Sequence, residues 1–217
     1  MYQLIIWIIK RFMKKPEILG MENIQPGDPA IFVSNHLGYY APLKIIVFSN
    51  LGLIPWVTYE VTDMRSCKRY LMDDFIEPQM GLRYPISNIV AAIITPLCVF
   101  VMNQLHAVPI YYQSRRIFET IENSVRLLEQ GKSLLIFPEI AEADPNVLGV
   151  FRDGFVYVVR AYFERSHKAA CFYPMGVNKQ NNKIVIGSRI SFDPVISFWQ
   201  EKRRIVDEIK KSISQNL

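Results

Sequence analysis

Apolar runs of strand type alternate with apolar positions at helical spacing along this chain. Ala30-Ile31-Phe32-Val33-Ser34 is apolar up to its last residue and reads as a buried strand. It ends in Asn35-His36; a glycine-containing turn follows, and Pro42 opens a helical pattern through Leu43, Ile45, Ile46 and Val47. Ile54 to Glu60 reads as a strand, Arg65 to Asp73 as a helix and Ala107 to Tyr111 as another strand. From Ser114, placed to cap a helix, Ile117, Phe118, Ile121, Val125 and Leu128 recur at helical spacing, and Gly131 sits where helices end. Ser133 to Phe137 is a buried-strand run that ends in Pro138-Glu139. Phe151-Arg152-Asp153-Gly154 leads into an aromatic-rich helix to about Glu164; Ala169 to Val177 and Lys183 to Ser188 read as strands. A tail helix from Ile196 puts Ile205, Ile209 and Ile213 on one face. This alternation predicts an α/β fold, a single domain with a mostly parallel sheet flanked by helices. Sites in such sheets lie at the carboxyl ends of strands, where Asn35-His36 and Pro138-Glu139 both fall.

Two apolar stretches do not fit a soluble core. Met1 to Ile9 is apolar except for Gln3, and Lys10-Arg11-Phe12-Met13-Lys14-Lys15 follows. The run is far short of the roughly 20 residues that cross a bilayer. Its charges come after the apolar part, the reverse of a secretory signal. Residues 1–15 therefore read as a membrane-interface helix, with Trp7 dipping in and the cations at the headgroups. Residues 16–217 read as the α/β domain; the competing reading is a first helix packed on that domain. Between Arg83 and Arg115 there is no Asp, Glu, Lys or Arg. Ile89 to Met102 is apolar apart from Thr95 and Pro96, and the proline predicts a buried or membrane-embedded hairpin rather than a crossing.

Composition narrows the partners. The 217 residues fit one domain, and 50% of them are hydrophobic. The net charge of +5 suits anionic headgroups or nucleic acid. No basic, aromatic-interleaved stripe is present, so membrane lipids are the expected partner and nucleic acid is not. Cys67, Cys98 and Cys171 lie far apart without a Cys-x-x-Cys pair, which suits buried thiols of a reducing compartment and neither a disulfide frame nor a metal site. Gly131-Lys132-Ser133 is not a phosphate-binding loop, because Arg126 stands where the first glycine belongs and a strand follows instead of a helix. The expected location is the cytoplasmic face of a membrane, peripheral or monotopic.

Chemistry concentrates at two strand ends. An imidazole at the lip of a sheet, beside a helix start, is placed to act as a base; the plainer reading is a histidine that only ends a strand. His106 and His167 have no visible partner. From about Gly20 to Val177 the chain resembles the glycerolipid acyltransferase family, typified by 1-acylglycerol-3-phosphate acyltransferases. Four ordered blocks carry the resemblance: Asn35-His36 to Ala41, Val108-Pro109-Ile110-Tyr111-Tyr112, Phe137-Pro138-Glu139-Ile140 and Tyr173-Pro174-Met175. Phe151 and Gly154 echo a Phe-x-x-Gly that follows the third block.

The resemblance implies a fold like that of glycerol-3-phosphate acyltransferase and an O-acyltransferase of phospholipid biosynthesis. An acyl group would pass from acyl-CoA or acyl carrier protein, as co-substrate, to a lipid hydroxyl. His36 would be the general base, and Asn35, Phe137, Pro138, Glu139, Tyr112, Arg115 and Arg116 the substrate-binding residues. Neither a cofactor nor a metal is implied; acyl carrier protein is an implied partner. The chain departs from the family at telling places. The acid that should orient the base is Ala41, with Glu142 and Asp144 as candidates for a relocated one. The second-block arginine falls at Tyr112, and Ile140-Ala141-Glu142-Ala143 stands where the family has Gly-Thr-Arg-Ser. These losses leave a second expectation, a catalytically impaired relative that binds lipid or a membrane protein.

Overall fold

The structure, a computed structural model, describes the chain except residues 26, 28, 113 and 141–147 and the side chain of Gln79. Its first half runs α1 (Tyr2–Phe12), β1 (Glu17–Leu19), β2 (Ala30–Ser34), α2 (Tyr40–Phe48), β3 (Ile54–Thr58), α3 (Met64–Leu71), α4 (Glu77–Met80) and α5 (Ile86–Gln104). The second half runs β4 (Val108–Ile110), α6 (Ile117–Glu129), β5 (Leu134–Ile136), α7 (Val156–Ser166), β6 (Cys171–Asn178), β7 (Lys183–Ile186), β8 (Ile190–Ser191) and α8 (Phe198–Ser214). The architecture is a mixed, mostly parallel sheet flanked by helices, as the alternating pattern predicts. Two compact units are distinguishable, one formed by residues 3–53 with 121–217 and the other by 54–120.

In the first unit the strand order is β1-β7-β6-β2-β5, with β8 also on β6. β2 is parallel to both β5 and β6, and β7 and β8 are antiparallel to β6. Every residue of β2 and β5 is buried, which explains their unbroken apolar sequence. The register Val33↔Ile136 brings the exits of β2 and β5 side by side, and this joins residues 35–36 to residues 137–139. Ile205, Ile209 and Ile213 of α8 are fully buried, in keeping with their spacing. Pro42 lies one turn into α2, which begins at Tyr40; backbone N–H groups there have no helical partner, so a proline is tolerated.

No residue of α1 is buried, and Leu4, Trp7 and Phe12 are 58%, 63% and 85% exposed. Its stalk is nonetheless held. Lys44 of α2 is buried; its Nζ donates to the Lys14 carbonyl and, at 2.8 Å, to Asn182 Oδ1. Asn182 Nδ2 donates in turn to the Lys15 carbonyl at 2.8 Å. Burial, helped by nearby Lys14, lowers the Lys44 pKa. Hydrophobic periodicity gives no hint of this lysine, because it interrupts an apolar run as a surface residue would.

The second unit holds the parallel pair β3–β4, with Trp56 opposite Val108. Its core includes Val61, Cys67, Leu71, Ile76, Ala91 and Val99. Asp63 caps α3, its carboxylate accepting the N–H groups of Arg65 and Ser66 at 3.0 Å. The hairpin expected near Pro96 is absent: α5 is one 19-residue helix with the proline inside. No glycine interrupts 86–104, so the proline removes one ladder bond without a turn to exploit it.

Candidate active site

The exits of β2 and β5 form one cluster. Asn35, directly after β2, is buried at 1% exposure. Its Oδ1 accepts the Val177 N–H at 2.8 Å and its Nδ2 donates to the Val177 carbonyl at 3.0 Å. Both amide functions are thus spent on the backbone of β6. Its side chain pins the strand end from which His36 projects. Asn35→Ala leaves a buried N–H and a buried C=O unpaired, at about 1–3 kcal/mol each. A fall of roughly 3 kcal/mol in unfolding free energy is expected by urea titration; a fall below about 1 kcal/mol would refute the pin.

His36 begins the turn into α2. Its N–H donates to Glu139 Oε2 at 2.8 Å. Its ring meets Phe137 edge to face, with centroids 5.3 Å apart at 84°. Leu37 (φ 45°) and Gly38 (φ 60°) are both left-handed, and the Tyr40 N–H closes the turn on the Leu37 carbonyl at 3.2 Å. The residue is exposed, but the protein around it, with Phe137 against the ring, partly desolvates the imidazole. That desolvation lowers the imidazole pKa from 6.5 and outweighs the opposing pull of the Glu139 carboxylate. The ring is therefore neutral at pH 7, the form that accepts a proton.

Among the described residues, no side chain hydrogen-bonds the imidazole. Glu142 and Asp144, the candidates for a relocated acid, lie outside the described residues. Ala41 is fully buried and belongs to an apolar cluster with Phe32, Ile45 and Tyr173. The position where the resemblance expects an acid thus lies in the core.

Glu139 joins three segments. Oε2 holds the His36 N–H, and Oε1 accepts the Gly149 N–H at 2.7 Å. Glu139 also forms a β-bridge with Phe151, flanked by Arg152 N–H to the Pro138 carbonyl at 2.9 Å and Ile140 N–H to the Val150 carbonyl at 2.8 Å. Pro138 is buried and Phe137 half-buried. The carboxylate is first of all a clamp on the histidine turn. Gly149 has no chemistry to reveal it in sequence; its N–H matters only through the fold.

Tyr112, Arg115 and Arg116 belong to the second unit, and all three are exposed. Arg116 is already engaged: its guanidinium forms a fork with Glu119, both contacts at 3.0 Å, and stacks 3.7 Å from the Tyr111 ring centroid. Ser114 Oγ accepts the Arg116 N–H at 3.2 Å, so it caps the entry to α6 as its position suggested. Among the described residues, no group of three or more His, Cys, Asp or Glu side chains is arranged to hold a metal.

No protein-family model matches the chain, and no curated protein matches it in sequence. Among solved structures it is similar to the crystal structure of the 1-acyl-sn-glycerophosphate (LPA) acyltransferase PlsC from Thermotoga maritima. The TM-score is 0.60 at 12% identity, over 99% of this chain and 80% of that one. At that identity the likeness establishes the fold.

Proposed function

We propose that the chain is a membrane-associated O-acyltransferase. It moves a fatty acyl group from a thioester, acyl-CoA or acyl carrier protein, to a hydroxyl of a lysophospholipid or related lipid. The observation that carries this reading is His36, exposed at the carboxyl end of β2 with its backbone N–H clamped by Glu139, on a fold like that of an acyltransferase.

The acceptor hydroxyl is a poor nucleophile, so its O–H bond must break as its oxygen attacks the thioester carbon. The imidazole takes that proton, the tetrahedral intermediate expels the thiolate, and the imidazolium returns the proton to sulfur. Glu139 places a negative charge beside the imidazolium that forms. Phe137 supplies an apolar edge against the ring, and Pro138 is proposed as a substrate contact on the family resemblance. Tyr112 and Arg115 are proposed as acceptor contacts on the family resemblance. The exposed apolar residues of α1, with Lys10 and Arg11 in its last turn, suit an anchor at a lipid surface.

Thiol release is the test. The purified chain is given acyl-CoA and acyl carrier protein donors with a panel of lysolipid and glycolipid acceptors. Acceptor-dependent release is expected. Its absence with every pair, in protein that still binds liposomes, favours the second reading, a lipid-binding relative; the apolar surroundings of Ala41 speak for that reading.

Glu139→Gln separates charge from clamp. Removing the carboxylate removes the upward pull on His36, so the imidazole pKa falls further below 6.5, readable by NMR titration. One of the two N–H groups then faces an NH₂, which costs about 1–3 kcal/mol of stability. An unchanged titration would show that Glu139 does not act on the imidazole.

A further inference from the structure

We propose that α5 is a second membrane-contact element that lies flat in the lipid interface and does not cross it. The inference rests on the membrane association proposed above but concerns a different surface. By length and composition α5 is apolar enough to cross a bilayer. Its two faces argue otherwise. Ser87, Ala91, Thr95 and Val99, one residue per turn, are buried against their own unit. The opposite stripe, Ile86, Ile89, Ile93 and Leu97, is 55%, 58%, 69% and 46% exposed. The buried face packs on α3, whose Arg65 and Arg69 are exposed. A crossing helix would drag those cations toward hydrocarbon, whereas a helix in the plane leaves them in water.

Charge and chemistry select lipid as the occupant. Ile86, Ile89, Ala92, Ile93, Pro96 and Leu97 offer no side-chain donor or acceptor on the exposed side. Protein interfaces carry roughly one hydrogen bond per 100–200 Å² and favour aromatic and arginine anchors. Hydrocarbon requires neither. On the exposed side polar groups appear at the helix ends, with Arg83 and the 76% exposed Tyr84 before it and exposed Asn103 and Gln104 at its close. A cation and a tyrosine ring at one end match the level of anionic headgroups.

The test uses the full chain carrying Cys98→Ala, in which Cys67 and Cys171 are buried. Single substitutions Ile89→Cys, Ile93→Cys and Arg65→Cys carry an environment-sensitive fluorophore. Sealed vesicles of phosphatidylcholine and phosphatidylglycerol are then added. Labels at 89 and 93 should shift to the blue and be quenched by lipid-borne quenchers, while the label at 65 stays in water. Tyr84→Cys and Gln104→Cys should both react with an impermeant maleimide supplied outside the vesicles. Ile89→Asp combined with Ile93→Asp should weaken vesicle binding about tenfold or more. If the chain floats with vesicles but labels 89 and 93 stay in water, the α5 proposal fails and membrane association stands. Reaction at only one helix end means a crossing and overturns it. Labels shielded before lipid is added mean that a second copy covers the stripe, and also overturn it. No flotation at all overturns both readings.

Discussion

His36→Ala is expected to reduce acceptor-dependent thiol release by about 10²- to 10⁴-fold, the range a positioned general base contributes. The structure makes this a clean substitution. The residue is exposed, its backbone N–H is kept by the variant, and its aromatic contact is an edge-to-face one with Phe137. Unfolding free energy should therefore change by no more than about 1 kcal/mol. The pH dependence supplies a second readout. The folded-state pKa lies below 6.5, so the base stays neutral as pH falls past the usual histidine range. The acid limb of kcat/KM should fall below pH 6.5. The same depression means that the unfolded chain binds the proton more readily. His36 therefore opposes stability as pH drops through 6.5, and this small loss should vanish in His36→Ala. If release falls less than about tenfold and keeps its acid limb, His36 is not the base.

The parts legible in sequence were those where one face of an element meets one environment. β2, β5, α6 and α8 followed from runs and spacings because each buries a continuous strip. β1 and β8, at three and two residues, are too short to show any period. α5 continues through the hairpin predicted at Pro96, because a proline without flanking glycines removes one helical hydrogen bond and does not turn the chain. The site divides the same way. His36 and Glu139 were visible as polar residues at strand exits, and the parallel register of β2 with β5 unites them across 103 positions. What they do with their hydrogen bonds was not visible. The grip of Asn35 on Val177 spans 142 positions, and that of Glu139 on Gly149 depends on a bridge to Phe151. Such partners are set by tertiary contact, where local propensity carries no information.

Ala41→Asp places an acid where the family resemblance expects one, yet it is expected to destabilise the protein without raising its activity. Ala41 is fully buried in the first turn of α2, within the cluster of Phe32, Ile45 and Tyr173. Acidic residues in a first helical turn gain about 0.3–1 kcal/mol from the helix dipole. An unpaired carboxylate in an apolar core costs several times more, about 3–5 kcal/mol when left uncompensated. The cost wins, and a net loss of about 3 kcal/mol is expected in urea titration at pH 7. The variant reports on its own cause. A carboxyl held in such a site has a raised pKa, so the folded state binds its proton at a pH where the unfolded chain, near 3.9, does not. The deficit should therefore shrink by about 1.4 kcal/mol for each pH unit lowered from the raised pKa toward 4. A deficit that ignores pH would point to steric overpacking of the methyl-sized site instead. A tenfold or greater gain in thiol release, with stability retained, would mean that position 41 still reaches the imidazole. The chain would then hold a complete site lacking one carboxyl group, and the apolar setting of Ala41 would not be what limits its chemistry.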